Sequence, residues 1–286
     1  MGQSYNQQIE FIVENDKLVL VDKYYTSGLF ITYKKDFEKD FLVRKTKDNI
    51  LQVNLTLGNE TYTPTNLFST NVADYDRPYA GWFFLKAELA NVQDSKALFF
   101  GLEGGITGDE ALSGKLQNFI HRGLNIDDGT TWTEQIEFKV LVNIKAKYLI
   151  NKNINKYHAF NYVIESSLGT KDIFIENGLG YYFGRFNNLK SSSRIGIINK
   201  TKENEFFGFV NFGYKYVAHN TLIQGGLLHD DVLFTTQKES HILKIKAGAV
   251  LSLGRNTFKF IYNFNTNETP KSTNHSYGGI SFSCDF

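Results

Sequence analysis

Apolar and polar residues alternate along much of the chain with a period of two. From Ile136 to Tyr148, apolar and aromatic side chains occupy one face and mostly charged or amide side chains the other, with Leu141 as the exception. Alternation over this length is typical of a β-strand and not of an amphipathic helix. The pattern returns in four later segments, at 160–168, 206–216, 258–264 and 280–286.

These alternating runs are long compared with strands of soluble sandwiches, which centre on about 5 to 6 residues. Charged residues lie on the polar face, as a polar lumen requires, and aromatic residues gather toward the strand ends, as membrane girdles require. We therefore predict an all-β fold: a closed, antiparallel transmembrane β-barrel without unpaired edges. A soluble β-rich protein is the alternative. The sequence predicts about twelve strands, near 7–14, 24–36, 50–58, 79–91, 95–107, 132–149, 156–170, 172–188, 203–219, 239–252, 255–267 and 275–286.

Composition narrows the class of protein further. The 286 residues carry a formal net charge of +1 with scattered basic residues, so no nucleic-acid partner is expected. The lone Cys284 excludes an intrachain disulfide and a cysteine metal cluster. No apolar run is long enough for a membrane helix. We expect a single domain, 1–286, that acts as a monomer.

The two ends of the chain favour a bacterial outer-membrane protein. The terminal Phe286 closes an alternating strand, which resembles the assembly signal of outer-membrane barrels. The first residues contain no basic and then apolar leader. If the protein is exported, we expect the sequence to begin after a cleaved leader, with Met1 added for expression.

Polar candidates for a site fall on one rim of the predicted barrel. If both termini face the periplasm, every odd connection faces outside. Asn15 and Asp16 then lie on the first outer connection, 59–78 on the second and 108–131 on the third. A carboxylate, an amide and hydroxyls from the first could meet a histidine from the third, which would supply a base and oxygen ligands for a hard cation.

One segment breaks the alternation. Leu112, Leu116, Phe119 and Ile120 recur at helical spacing, which predicts one short helix over 109–123, in an extracellular loop. His121 lies at its end, and Asp127 and Asp128 follow in a short loop. Two other interpretations stay open: His229 with Asp230 and Asp231 is a competing cluster, and Glu14-Asn15-Asp16 is also ordinary turn chemistry.

Together these motifs resemble the outer-membrane lipid A 3′-O-deacylase family (LpxR-like). They occur in order and cover roughly the first half of the chain, whereas the second half matches only as a generic barrel. The matching elements are Glu14-Asn15-Asp16, Asp22-Lys23-Tyr24-Tyr25-Thr26-Ser27-Gly28, Tyr62-Thr63-Pro64, Asp76-Arg77-Pro78-Tyr79-Ala80-Gly81-Trp82, Gln117-Asn118-Phe119-Ile120-His121, and Trp132 with Glu134-Gln135.

The resemblance implies a twelve-stranded enzyme that removes the 3′-linked acyloxyacyl group of lipid A, with a requirement for Ca²⁺. Its partners would be lipopolysaccharide and the lipids of the outer membrane. His121 corresponds to the general base, and Asn15, Asp16 and Thr26 match other site positions. Asp127 falls where the family can carry Glu, one methylene longer, with Asp128 as the substitute. Asp16 and Asp127 are the expected metal ligands.

Two functions of other kinds remain as alternatives. A barrel phospholipase would use a serine nucleophile, for which Ser27 is the candidate. A pore or adhesin would share the barrel without catalysis, since a fold does not fix a function.

Overall fold

The structure, a computed structural model, describes residues 5–19, 23–123, 130–199, 203–227 and 234–286. Twelve strands are found within these ranges, which confirms the predicted all-β class. In chain order, strands β1 to β12 comprise Gln7–Asn15, Tyr24–Phe37, Ile50–Thr63, Ala80–Val92, Lys96–Ile106, Val140–Asn155, His158–Gly169, Asp172–Arg185, Glu205–Asn220, His241–Leu253, Asn256–Asn265 and His275–Asp285.

Each strand pairs antiparallel with its neighbours in sequence, and β1 pairs with β12 to close the barrel. The predicted alternation corresponds to the two faces of the wall. On β6, Val140 and Val142 are exposed on the outside, whereas Leu141 and Asn143 are buried toward the lumen. A closed barrel with an apolar outer face satisfies every backbone group of the wall within the wall itself, as a lipid environment demands.

Three boundaries differ by several residues from the sequence-based expectation, one of them the end of β6, at Asn155 instead of near 149. Strand β6 begins at Val140 instead of near 132, because the preceding residues leave the regular ladder: the Ile136 amide bonds the Tyr79 carbonyl, and Ile136 is fully buried. Strand β3 continues to Thr63, so Tyr62 and Thr63 belong to the wall and not to a loop.

The predicted helix is present but shorter than expected. Helix α1 comprises Ser113–Gly123, and a 3₁₀ turn at Asp109–Ala111 precedes it. A second helix that the sequence did not predict, α2, comprises Thr221–Gln224 after β9. Neither of these described helices is long and apolar enough to span a membrane.

The lumen holds a polar cavity of about 530 Å³. Ion pairs lie along the inner face of the wall, with 2.9 Å between Lys145 and Glu103 and 2.9 Å between Lys244 and Glu176. Lys171 lies at the end of the lumen opposite the chain termini. Burial by itself would lower the pKa of its ammonium group, but the nearby carboxylates of Glu60, Asp172 and Glu103 outweigh this effect and raise the pKa above the usual range. Paired charges therefore occupy much of the lumen.

The connection between β8 and β9 enters the lumen at the end where the chain termini lie. Within it, Leu189, Ile197 and Ile198 are almost completely buried, and Leu189 and Ile197 pack in one apolar cluster with Phe99 and Leu149 of the wall. Because Phe99 and Leu149 also line the lumen cavity, this segment forms its floor. We call residues 189–199 the plug.

Hydrogen bonds attach the plug to three parts of the wall. The Gln52 side chain donates to the Gly196 carbonyl and accepts from the Ile198 amide, at 3.1 and 3.0 Å. Arg194 donates to Asn151 at 3.3 Å. The buried Glu205 carboxylate accepts from the hydroxyls of Ser192 and Ser193 at 2.7 and 2.6 Å. The long connection between β8 and β9 thus closes one end of the barrel.

Removing the plug should turn the closed barrel into a channel. We expect a variant with residues 189–198 replaced by a short Gly-Ser turn to conduct ions in planar bilayers, because the polar lumen would then lack its floor. Shortening the exposed 38–47 loop at the same end is the matched control and should leave conductance at the wild-type level. A folded plug-less barrel that conducts no more than wild type would contradict the assignment.

Candidate active site

Four residues stand in one row across the strands that begin the chain. The pairing registers align Asn15 of β1 with Ser27 of β2, Ser27 with Thr61 of β3, and Thr61 with Gly81 of β4. Residues aligned in this way lie side by side on the same face of a sheet. Segments far apart in sequence therefore contribute adjacent positions of the wall.

This row lies on the outer face of the wall, yet part of it is buried. Leu55 and Leu57 are exposed on the outside of β3. Thr61 and Thr63 lie an even number of residues further along the strand, so their side chains point to the same outer face. Thr61 is only 1% exposed and Thr63 is 0% exposed. Loop residues must therefore cover the outer face of β3 near its extracellular end.

Helix α1 lies on this covered part of the wall. The Ser113 hydroxyl donates to Asn59 Oδ1 and to the Glu60 carbonyl, at 3.1 and 3.2 Å, and Asn59 in turn donates to the Ala111 carbonyl at 2.8 Å. Gly81 permits the contact, since a Cβ at this position would come within 2.6 Å of the Ser113 hydroxyl. The close approach of α1 to the wall thus requires glycine at position 81, within the motif Asp76-Arg77-Pro78-Tyr79-Ala80-Gly81-Trp82.

The helix turns its polar side to the protein. Its buried residues are Ser113, Gln117 and His121, spaced every fourth position so that they form one face. Leu112, directly before the helix, and Phe119 are instead exposed. A surface helix usually buries its apolar side against a core, whereas α1 buries its polar side and exposes its apolar side. His121 therefore belongs to a buried polar surface.

Gln117 presents a fixed amide in this surface. Its Oε1 accepts from the Trp132 indole at 2.8 Å and from the Thr130 hydroxyl at 3.4 Å, which determines the orientation of the amide. Its Nε2 is buried and has no hydrogen-bond partner within the described part of the chain. A buried unpaired amide costs about 1–3 kcal/mol, so this nitrogen is available to a substrate oxygen. The sequence showed Gln117 only as one residue of a motif.

Thr26 joins the same part of the wall through an irregularity of β2. The register shifts between Tyr25 and Ser27, as in a β-bulge, so Thr26 has no cross-strand partner. Its hydroxyl bonds the Thr63 hydroxyl at 2.7 Å, and Thr26 is buried. We call the resulting group the outer-wall patch: Asn15, Thr26, Ser27, Thr61, Thr63 and Gly81.

Asn15, a member of this patch, and Asp16, which follows it in the chain, have the contacts expected of turn residues. Asn15 Oδ1 accepts from the Lys17 amide at 2.7 Å, and Asp16 Oδ2 accepts from the Lys23 amide at 2.6 Å. Asp16 is nevertheless fully buried, which is rare for a carboxylate in an ordinary surface turn. The turn interpretation therefore accounts for this contact of Asn15 but not by itself for the burial of Asp16.

The described geometry brings three of the predicted site residues together: Asn15, Asp16 and Thr26. Asn15, Asp16 and Thr26 lie at the extracellular end of β1 and β2, and α1 lies on β3 and β4. Three inter-strand steps of about 4.8 Å separate Asn15 from Gly81, or about 14 Å. In α1, His121 lies eight residues after Ser113, a rise of about 12 Å along the helix. Direct cooperation of His121 with Asp16 stays a prediction. Asp22, Asp127, Asp128, His229, Asp230 and Asp231 lie outside the described residues.

The described residues supply only part of a calcium site. No group of three or more His, Cys, Asp or Glu side chains within the described ranges could hold a metal ion. Ca²⁺ prefers six to eight oxygen ligands, and the residues beside the patch offer oxygen donors: the buried Asp16 carboxylate, the Asn15 side chain and the Thr26 hydroxyl. The type of donor fits the ion.

The neighbouring motif Asp76-Arg77-Pro78 ties the extracellular loops together. Asp76 accepts hydrogen bonds from Tyr24 at 2.8 Å and from the Thr65 hydroxyl at 2.6 Å. Arg77 is buried, pairs with Glu268 at 3.2 Å and stacks on Tyr62 at 4.5 Å. These residues join the loops after β1, β3 and β11. Their role is to hold the rim together around the patch.

Three of the other four described histidines form a hydrogen bond with a hydroxyl group. His158 and His241 bond Tyr181 and Tyr214, at 2.8 and 2.6 Å, and His219 bonds Thr221 at 2.9 Å. His275 packs against Tyr24 and Tyr277. Of the histidines in the described ranges, His121 is the one on the buried face of α1.

Comparisons with known proteins agree with this architecture. The solved structure of LpxR from Salmonella typhimurium is 19% identical, with a TM-score of 0.81, and the match covers 98% of this chain and 100% of that chain. The β domain of the Bordetella autotransporter BrkA is 10% identical, with a TM-score of 0.53, over 99% of this chain and 100% of that one. These likenesses show the barrel fold. No curated protein matches in sequence.

The family model described as outer membrane protein LpxR matches residues 1–286. This match confirms the family suggested by the ordered motifs and places the protein in the outer membrane. The chain belongs to the LpxR family of outer-membrane proteins.

Proposed function

We propose that the protein hydrolyses the ester that links the 3′-acyloxyacyl chain to lipid A, at the outer surface of the outer membrane. Membership of the LpxR family supports an outer-membrane lipid A deacylase, a hydrolase. The observation that carries the proposal is the buried polar face of α1, with His121, lying on an outer wall that faces lipid elsewhere. A polar site on the lipid side of a barrel suits an amphipathic lipid substrate.

In the proposed reaction, the His121 imidazole takes a proton from a water molecule, and the water oxygen attacks the ester carbonyl carbon. The tetrahedral intermediate then collapses, the bond to the 3′ oxygen breaks, and the imidazolium returns the proton to that oxygen. The products are the free acyloxyacyl acid and lipid A with a 3′ hydroxyl. The unpaired Gln117 amide would donate to the carbonyl oxygen as negative charge develops there.

Calcium, when bound, would supply positive charge beside the developing oxyanion. Asp16 would hold the ion together with Asp127, and the oxygens of Asn15 and Thr26 are suitable further donors. The protein residues orient the ester and exclude water around it. We propose that the protein acts as a monomer on lipopolysaccharide surrounded by outer-membrane lipids.

The test is mass spectrometry of lipid A after incubation with the purified full-length barrel, once with Ca²⁺ and once with a chelator. Loss of one acyloxyacyl unit in the presence of Ca²⁺, and not with chelator, is the expected result. Release of fatty acid from phospholipid, with lipid A unchanged, would favour a phospholipase. No acyl release from either lipid would favour a pore or adhesin. If the protein is a pore, we expect its conductance to be low because the plug closes the lumen.

Replacing Ser27 by alanine separates the two enzymatic mechanisms. An activated serine nucleophile requires a hydrogen bond from its hydroxyl to a base. Ser27 lies in the outer-wall patch, but within the described ranges its hydroxyl has no hydrogen bond to a histidine or carboxylate. We therefore expect Ser27→Ala to retain acyl release from lipid A within a fewfold of wild type. Abolished release, with the barrel still folded, would contradict water activation and indicate a serine nucleophile.

A further inference from the structure

Helix α1 exposes a continuous apolar flank. Phe119 is 75% exposed and Leu112, directly before the helix, is 53% exposed. Leu116 and Ile120, both partly exposed, lie within one helical turn of Phe119, so these three side chains form one stripe, and the exposed Leu112 lies directly before it. Large apolar side chains are costly to hold in water at this level of exposure. A matching apolar environment is therefore expected along this flank.

The helix has a third, charged side. Lys115 and Arg122 are exposed, and Lys115 reaches Asp109 at 3.5 Å on the surface. With about 100° between successive residues, these basic residues lie between the apolar stripe and the flank that contacts Thr130 and Trp132. The polar face toward the wall, the apolar stripe and the charged side thus point in three different directions. This arrangement matches a helix that lies in a membrane interface.

The start of α1 lies beside the lipid-facing surface of the barrel. Ser113 fixes the start of α1 at Asn59 and Gly81 on the outer wall. Below these positions, the same outer face presents Leu57 of β3 and Phe83 of β4, both exposed and apolar. Lipid acyl chains cover this surface of an outer-membrane barrel. The neighbour of the stripe on the membrane side is therefore the outer leaflet.

We propose that α1 is an interfacial helix whose apolar stripe, Leu116, Phe119 and Ile120, inserts with the preceding Leu112 among the acyl chains of the outer leaflet. Its charged side then faces water, and its polar face meets the outer-wall patch. For the deacylation proposed above, on which this consequence rests, the insertion holds His121 at the depth where acyl esters meet the headgroups. A lipid substrate then reaches the site sideways from the leaflet.

The test measures the depth of two positions on the full-length barrel in lipid vesicles. Cys284 is replaced by serine, and Ile120→Cys and Lys115→Cys are each labelled with an environment-sensitive fluorophore. These two positions are five residues apart and therefore point about 140° apart around the helix. Lipids that carry a quencher on the acyl chain should quench the label at position 120 severalfold more than the label at position 115. Lys115 is exposed and Ile120 is partly exposed, so the barrel is expected to fold in each variant.

Equal quenching at the two positions, or quenching of position 120 only by headgroup-linked quenchers, would overturn the insertion. The result does not depend on activity. Strong acyl-chain quenching at position 120 in a barrel that leaves lipid A intact would support the insertion and count only against the proposed function. An active deacylase in which the two labels are quenched equally would support the proposed function and overturn the insertion.

Discussion

Replacing His121 by alanine is expected to reduce acyl release from lipid A by about 10²–10⁴, the usual cost of losing a general base. The imidazole is buried on the face of α1 that contacts the barrel wall, so no bulk base can take its place directly. The rate would be followed by mass spectrometry of lipid A under conditions in which wild type reacts to completion. Binding of lipid A should change far less than the rate, because the imidazole acts on water.

His219→Ala provides the matched control for this variant. His219 is also buried near the extracellular rim, where it bonds Thr221 at 2.9 Å, and the same side chain is removed. Its substitution should lower stability without approaching the loss in rate at position 121. A His121→Ala barrel that remains folded and keeps near-wild-type activity would exclude this residue as the base.

The barrel could be predicted because its sequence signal is local. On β6, the exposed Val140, Val142 and Ile144 alternate with inward side chains, and this pattern needs no knowledge of distant residues. The orientation of α1 could not be predicted in this way. Leu112 and Phe119 give helical spacing, but whether the apolar or the polar side meets the wall depends on whether lipid or water surrounds the helix.

The plug and the outer-wall patch depend on contacts between distant segments. Ile198 is held by Gln52, 146 positions earlier, and nothing in the sequence of either residue indicates the other. Alignment of Asn15 with Ser27 and Thr61 likewise follows from registers set over whole strands. Because successive connections between strands lie at alternate ends of a barrel, the sequence predicted that the first and third outer loops share a rim. It could not predict that α1 lies on the outside of the barrel.

Replacing Asp16 by asparagine is expected to lower acyl release by about 10²–10³, the effect typical of losing one electrostatic contribution to an oxyanion. Asn keeps the shape of the side chain and an acceptor for the Lys23 amide at 2.6 Å, so the turn should survive. What is lost is the negative charge that a calcium ligand supplies. A larger Ca²⁺ concentration should therefore be needed for half-maximal activity, measured by titrating Ca²⁺ against acyl release.

Asp285→Asn is the control for this charge change, because Asp285 is an equally buried carboxylate that bonds Gln8 at the opposite end of the barrel. Its calcium dependence should match wild type. If Asp16→Asn is slower but keeps the wild-type Ca²⁺ requirement, Asp16 orients the site without holding the ion. If chelator leaves the wild-type rate unchanged, calcium has no part in the reaction, and the buried carboxylate needs another explanation. Asp16 is assigned both a part in the reaction and a part in holding calcium only if Asp16→Asn lowers the rate and the calcium affinity together while Asp285→Asn lowers neither.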